Sequence, residues 1–212
     1  MIAIIDSGGA NIASVRFALE RLGVDAELTA DPAFISAAER VILPGVGAAP
    51  VAMAQLQAAG LVECIRSLTQ PVLGICLGMQ LLFERSEEGD TPLLGLIGGT
   101  CAALDGASGL TVPHMGWNRL IPPAGAEAHP LLAGIAPGAH VYFVHSYAAP
   151  VSEDTVASCS YGMDFTALVA RGNFMGAQFH PERSGPVGAR ILGNFLALPQ
   201  SSDDRLKERL TG

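Results

Sequence analysis

The chain has 212 residues, half of them apolar and 15% charged, which suits one domain with a sizeable core and excludes intrinsic disorder. Its 25 Gly and 14 Pro fall in no repeat or block, which excludes collagen-like and low-complexity classes. Twelve Lys and Arg against 20 Asp and Glu leave a net charge of −8 with no basic cluster, so nucleic acid is not an expected partner.

Read from the start, Ile2 to Ile5 is a short apolar run that meets Asp6 at once, a buried strand rather than a signal peptide. No later run reaches the ~18 apolar residues of a membrane span, so no membrane partner and a cytoplasmic location are expected. The Asp6–Asn11 loop, DSGGAN, is glycine-rich, but it fits neither dinucleotide-binding nor phosphate-loop spacing. Residues 12–22 carry Val15, Leu19 and Leu22 at helical spacing, and Gly23 closes the helix. Strands are predicted at 24–28 and 40–43, the second stopped by Pro44-Gly45. Residues 50–68 have helical periodicity, 72–75 form a fourth strand, and 77–83 a helix. This alternation predicts a parallel sheet covered on both faces. From residue 90 the rhythm changes to short strands at 116–121, 141–145, 155–160 and 174–179. A final helix at 188–198 presents Ile191, Leu192, Phe195 and Leu196 as a stripe. No linker divides the chain: residues 1–200 form one domain, and 201–212 are a polar tail that reads as a solvated helix end.

The chemistry concentrates in Gly74-Ile-Cys76-Leu-Gly78-Met-Gln80, where an apolar strand runs through G-x-C-x-G into a helix. This is a nucleophile elbow with Cys in place of Ser; the glycines make room in a strained turn, and the helix N-terminus favours the thiolate. Cys64, Cys101 and Cys159 lie scattered, with no C-x-x-C spacing, and read as buried small hydrophobes. A thiol nucleophile needs a base. His180 in Gln178-Phe-His-Pro-Glu182 ends a strand, and in extended backbone Glu182 shares its face. Pro181 favours that extension. An oxyanion site needs amide donors: Leu77 offers one, and the Pro44-Gly45-Val46-Gly47 turn the other. His114 and His145 are weaker candidates, and His129 and His140 read as loop residues. No set of side chains has metal-ligand spacing, so neither a metal nor a cofactor is expected.

GICLGMQ, PGVG and QFHPE together resemble the class I (triad) glutamine amidotransferases, in an order that covers most of the chain. Residues 112–118, VPHMGWN, and 142–147, YFVHSY, are similar to marker segments of one branch, the glutaminase subunits of imidazole glycerol phosphate synthases in histidine biosynthesis. The resemblance implies an α/β, three-layer flavodoxin-like fold: a mostly parallel central sheet with a nucleophile elbow, and a smaller antiparallel element. It implies that Cys76, His180 and Glu182 are a catalytic triad acting on glutamine. Gln80 and the backbone near Ser146 and Tyr147 would hold the substrate. Amides of Leu77 and of the Gly45-Val46-Gly47 turn, which flips in such subunits, would hold the oxyanion. It also implies a heterodimer with a (β/α)8 cyclase subunit, reached through Asn11, Trp117, Tyr142 and Arg183. Three departures bear on that interface: Ser7 and Ala10 replace a usual Tyr and Gly in the first loop, and Arg183 replaces a usual Lys. Glutaminases of anthranilate or pyridoxal phosphate synthesis, a stand-alone Cys hydrolase and a silent interaction subunit of the same fold are the alternatives.

Overall fold

A computed structural model describes residues 1–6, 12–106, 109–125 and 128–199. In chain order its first elements are β1 (Ile2–Ile5), α1 (Ile12–Arg21), β2 (Ala26–Thr29), α2 (Pro32–Ala37), β3 (Arg40–Gly45), α3 (Ala49–Ala58), α4 (Leu61–Arg66), β4 (Val72–Cys76) and α5 (Leu77–Gln80). There follow β5 (Phe83–Ser86), β6 (Thr91–Pro92), β7 (Ile97–Ala103), β8 (His114–Arg119), β9 (His140–His145) and β10 (Tyr147–Ala148). The chain then forms β11 (Thr155–Tyr161), β12 (Met163–Arg171), β13 (Phe174–Ala177) and α6 (Gly185–Leu196).

The main sheet runs β11-β12-β13-β4-β3-β1-β2. β13, β4, β3, β1 and β2 are parallel, and β11 and β12 extend the sheet antiparallel. Strand alternation sorts its side chains into two covered faces. Ala3, Ile5, Val41 and Leu43 meet Ile35, Leu56 and Ile65 of α2, α3 and α4. Ile2, Ile4, Ile42 and Ile75 meet Val15 and Leu19 of α1 and Leu192 and Phe195 of α6. Each such Ile or Leu stabilises the fold by about 1.5–3 kcal/mol relative to exposure, and both layers are needed because the parallel strands are apolar on both sides. Two smaller sheets, β10-β7-β5-β6 and the hairpin-like pair β8-β9, lie beyond the elbow. Among the described residues no helix is long and apolar enough to cross a membrane.

Several boundaries differ from the sequence reading. β3 continues through Pro44 and Gly45, which face Ile75 and Cys76 of β4. Pairing with β1 has ended by Ile42, so the amide hydrogen that Pro44 lacks costs no ladder bond on that side. The helix expected over 50–68 breaks at Gly60 into α3 and α4. The helix expected over 77–83 is one turn long, because Phe83 is drawn into β5 against Ile97. α2 was not expected, although Asp31-Pro32 carries a cap signal: the Asp31 carboxylate accepts from the Ala33 amide at 2.9 Å. Nor were β5, β6, β7, β10 or β12. The expected tail 201–212, and Ser7, Ala10 and Asn11, lie outside the described residues.

Candidate active site

β4 delivers Cys76 into a turn with φ 54° and ψ −114°, in the left-handed half of the backbone map. A non-glycine residue there costs about 1–3 kcal/mol and persists only where its surroundings enforce it. The enforcement is close backbone packing. A Cβ on Gly78 would lie 1.8 Å from the Leu43 carbonyl oxygen, and one on Gly74 2.5 Å from the Gly78 oxygen. The glycines of the motif therefore let α5 start hard against β3 and β4; they clear backbone, not the thiol itself. With four residues, α5 carries the dipole of a single turn only.

His180 is buried in the segment that follows β13, with extended backbone (φ −97°, ψ 98°) before Pro181. Its Nδ1 donates to Glu182 Oε1 at 2.8 Å, both side chains being 5% or less exposed. The contact forms differently from expectation: residues Pro181–Arg183 make a 3-10 turn, which folds Glu182 back under the ring. Burial opposes charge on the imidazole, but hydrogen bonds to Cys76 and Glu182, with the charge of both, push His180 up to about 10. Cys76 Sγ also lies 3.6 Å from the Val144 carbonyl and 3.9 Å from Gln178 Nε2. A thiol, an imidazole and a carboxylate thus stand in series.

Above them opens a cavity of about 270 Å³, small for a ligand site and suited to a metabolite. Cys76, Leu77 and His180 line it together with Val46, Gly47, Gln80, Ser146 and Tyr147. Gly47 has φ +91°, which only glycine adopts readily, and nothing lies within 4 Å of where its Cβ would be. Gly45 does not line the cavity; it is buried opposite Cys76 in the β3–β4 register. Gln80 serves as a brace: its Nε2 donates to the Tyr147 carbonyl at 2.8 Å and to Gln178 Oε1 at 2.9 Å.

A glutamine amidotransferase class-I family model matches residues 3–198. The chain belongs to that family. It is 59% identical, over 93% of its length and 97% of the relative's, to the imidazole glycerol phosphate synthase subunit HisH of Xanthomonas axonopodis pv. citri. It is 57% identical, over the same shares, to the subunit HisH of Xylella fastidiosa strain Temecula1. The fold matches a Thermoplasma acidophilum protein assigned as a GMP synthase subunit, with a TM-score of 0.71 at 19% identity, over 98% of this chain and 96% of that one.

This amidotransferase brings together three of the four residues expected at a partner surface. Trp117 is 56% exposed and packs edge-on to Tyr142 with ring centroids 6.0 Å apart, while the Arg183 guanidinium lies 5.3 Å above the Tyr142 ring. The cluster is tied by hydrogen bonds to the backbone of His180, which lines the cavity. The His180 amide donates to the Tyr142 carbonyl at 2.9 Å, and Ser184 Oγ accepts from the Tyr142 amide and donates to the His180 carbonyl. Cys101 and Cys159 are buried as expected, and burial pushes both thiols up to about 12. Cys64 is half-buried beside Ser36. His140 opens β9, and His129 caps the turn Pro130–Leu132 by accepting from the Leu131 amide.

The sequence reading missed four cavity residues: Glu88, Pro113 and Val144 altogether, and His145 as a wall of the site. Glu88 Oε2 accepts from the Ala49 amide at 2.7 Å and so caps α3, whose own capping residue is Ala48. The uncapped start of α3 was the available signal, but it did not say where the cap would come from.

Proposed function

We propose that this chain is the glutaminase subunit of an imidazole glycerol phosphate synthase, working in the cytoplasm in histidine biosynthesis. The observation that carries the reading is the series Cys76, His180, Glu182, whose first two members line a small cavity, in a chain with a HisH relative at 59% identity. Four unpaired cysteines suit a reducing compartment.

In the mechanism, His180 holds the thiol's proton and Cys76 Sγ attacks the side-chain amide carbon of glutamine. Glu182 fixes the imidazole and stabilises its charge. The tetrahedral oxyanion is met by the amide of Leu77 and by one from the Gly45-Val46-Gly47 turn, a turn that reorients for the purpose. His180 then protonates the leaving nitrogen. Ammonia departs, and a γ-glutamyl thioester remains on Cys76. His180 next takes a proton from water; the hydroxide adds to the thioester, and glutamate leaves as the thiolate is restored. The backbone of Ser146 and Tyr147 lines the substrate, and Gln80 keeps that segment in place. Ammonia passes to a (β/α)8 cyclase subunit, where it yields imidazole glycerol phosphate and an aminoimidazole carboxamide ribonucleotide. Trp117, Tyr142 and Arg183, with Asn11, meet that partner; residues 1–200 form the catalytic domain, with 201–212 as a polar tail.

Glutamate release with and without the liganded cyclase partner tests the reading. Hydrolysis is expected to be slow alone and much faster in the complex, because the interface cluster is hydrogen-bonded to the backbone of His180. Equal rates would refute the coupling.

A further inference from the structure

Two buried histidines outside the triad, His114 of β8 and His145 of β9, form a chain of hydrogen bonds with only one possible direction. His145 Nδ1 lies 2.9 Å from the Tyr147 carbonyl oxygen. A carbonyl only accepts, so Nδ1 carries the proton and Nε2 is an acceptor. His114 Nδ1 is 3.0 Å from that Nε2 and must therefore donate to it. His114 Nε2 is left as an acceptor, facing the Asn118 amide nitrogen at 3.4 Å. Asn118 is anchored in turn by donating to the Ser160 carbonyl at 3.0 Å. Burial keeps both rings neutral, lowering His114 to about 4 and His145 to about 3, so a single set of proton positions satisfies every link.

The chain ends on the Tyr147 oxygen, which Gln80 also bonds. His145 and Tyr147 line the cavity, whereas His114 does not. His114 is instead clamped between Tyr161 and Phe143, at ring distances of 4.0 and 4.9 Å.

We propose that His114 and His145 are a positioning relay, which holds the Val144–Tyr147 wall of the cavity for glutamine by fixing the hydrogen bond to the Tyr147 carbonyl. The inference rests on the reading of the cavity as the glutamine site. His114 acts only through His145: remove its donor and the His145 proton is free to move to Nε2, which turns a lone pair toward the Tyr147 oxygen and releases the wall.

The test compares His114→Phe with His114→Asn in the complex with the cyclase partner. Phe keeps the ring stacking but has no donor; the Asn amide nitrogen stands where Nδ1 stood and can donate to His145. Loss of one buried hydrogen bond predicts a KM for glutamine raised about tenfold in His114→Phe, kcat changing less, with recovery in His114→Asn. An unchanged KM in the Phe variant, or no recovery in the Asn variant, would overturn the relay. Imidazole 15N shifts of the unmodified chain read the same claim without turnover: both rings are expected as the Nδ1–H tautomer, and an Nε2–H tautomer in either would overturn it. A wild-type complex that fails to hydrolyse glutamine would refute the proposed function instead, while those shifts still decide the hydrogen-bond polarity.

Discussion

Cys76 holds its thiol over the cavity by occupying a backbone conformation that opposes folding. Replacing it with Gly relieves that strain, whereas Ala keeps it; both remove the thiol proposed as the nucleophile. Cys76→Gly should therefore melt above Cys76→Ala, by about 1 kcal/mol of stability after glycine's own entropic cost, and neither should hydrolyse glutamine. A Gly variant that melts below the Ala variant would show that the turn is unstrained. His180 is perturbed by its neighbours. An imidazole beside a thiol and a carboxylate keeps its proton far above the ordinary 6.5, to about 10. Glu182→Gln removes one negative neighbour, so the His180 midpoint followed by NMR should fall; a wild-type midpoint near 6.5 would contradict the arrangement. These three residues were legible in the sequence because two short motifs carry them whole. His145 and Glu88 were not, because β9 and the segment after β5 reach the cavity by packing, and nothing in their local sequence names that destination.

The elements place the site through backbone contact. β3, β4 and α5 converge so closely on Gly78 that a methyl group would strike the Leu43 carbonyl at 1.8 Å. Gly78→Ala is expected to cost about 3 kcal/mol, read as a fall in the urea midpoint; a loss below about 0.5 kcal/mol would mean that the elbow tolerates separation of these strands. Gly47 is the contrasting case. Its Cβ position is empty but its φ is +91°, so Gly47→Ala should cost only the backbone strain of about 1–2 kcal/mol, less than Gly78→Ala, and should lower kcat if the turn meets the oxyanion as proposed. A normal kcat in a folded Gly47→Ala would remove that turn from the mechanism. Helices α1 and α6 and strands β1, β4 and β9 were readable from periodicity and apolar runs. α5 and β5 were not, since Leu81, Leu82 and Phe83 are apolar in either state and only pairing with Ile97 decides between them.

At the scale of the whole molecule, the cavity and the exposed Trp117–Tyr142–Arg183 cluster are two ends of one short path through β9 and the turn after His180. The overall α/β architecture followed from the βα alternation of the first third of the sequence. The smaller sheets, which supply Val144, His145 and Tyr147 to the cavity, did not, because short strands with Gly and Pro between them carry little periodic signal. The proposed chemistry depends on Cys76 Sγ being the atom that bonds to glutamine. The direct measurement is peptide mass spectrometry after exposing the cyclase-bound chain to a diazoketone analogue of glutamine. A single adduct on Cys76, blocked by glutamine and absent from Cys64, Cys101 and Cys159, is the predicted result. Labelling of another cysteine in its place, or none at all in the active complex, would contradict it.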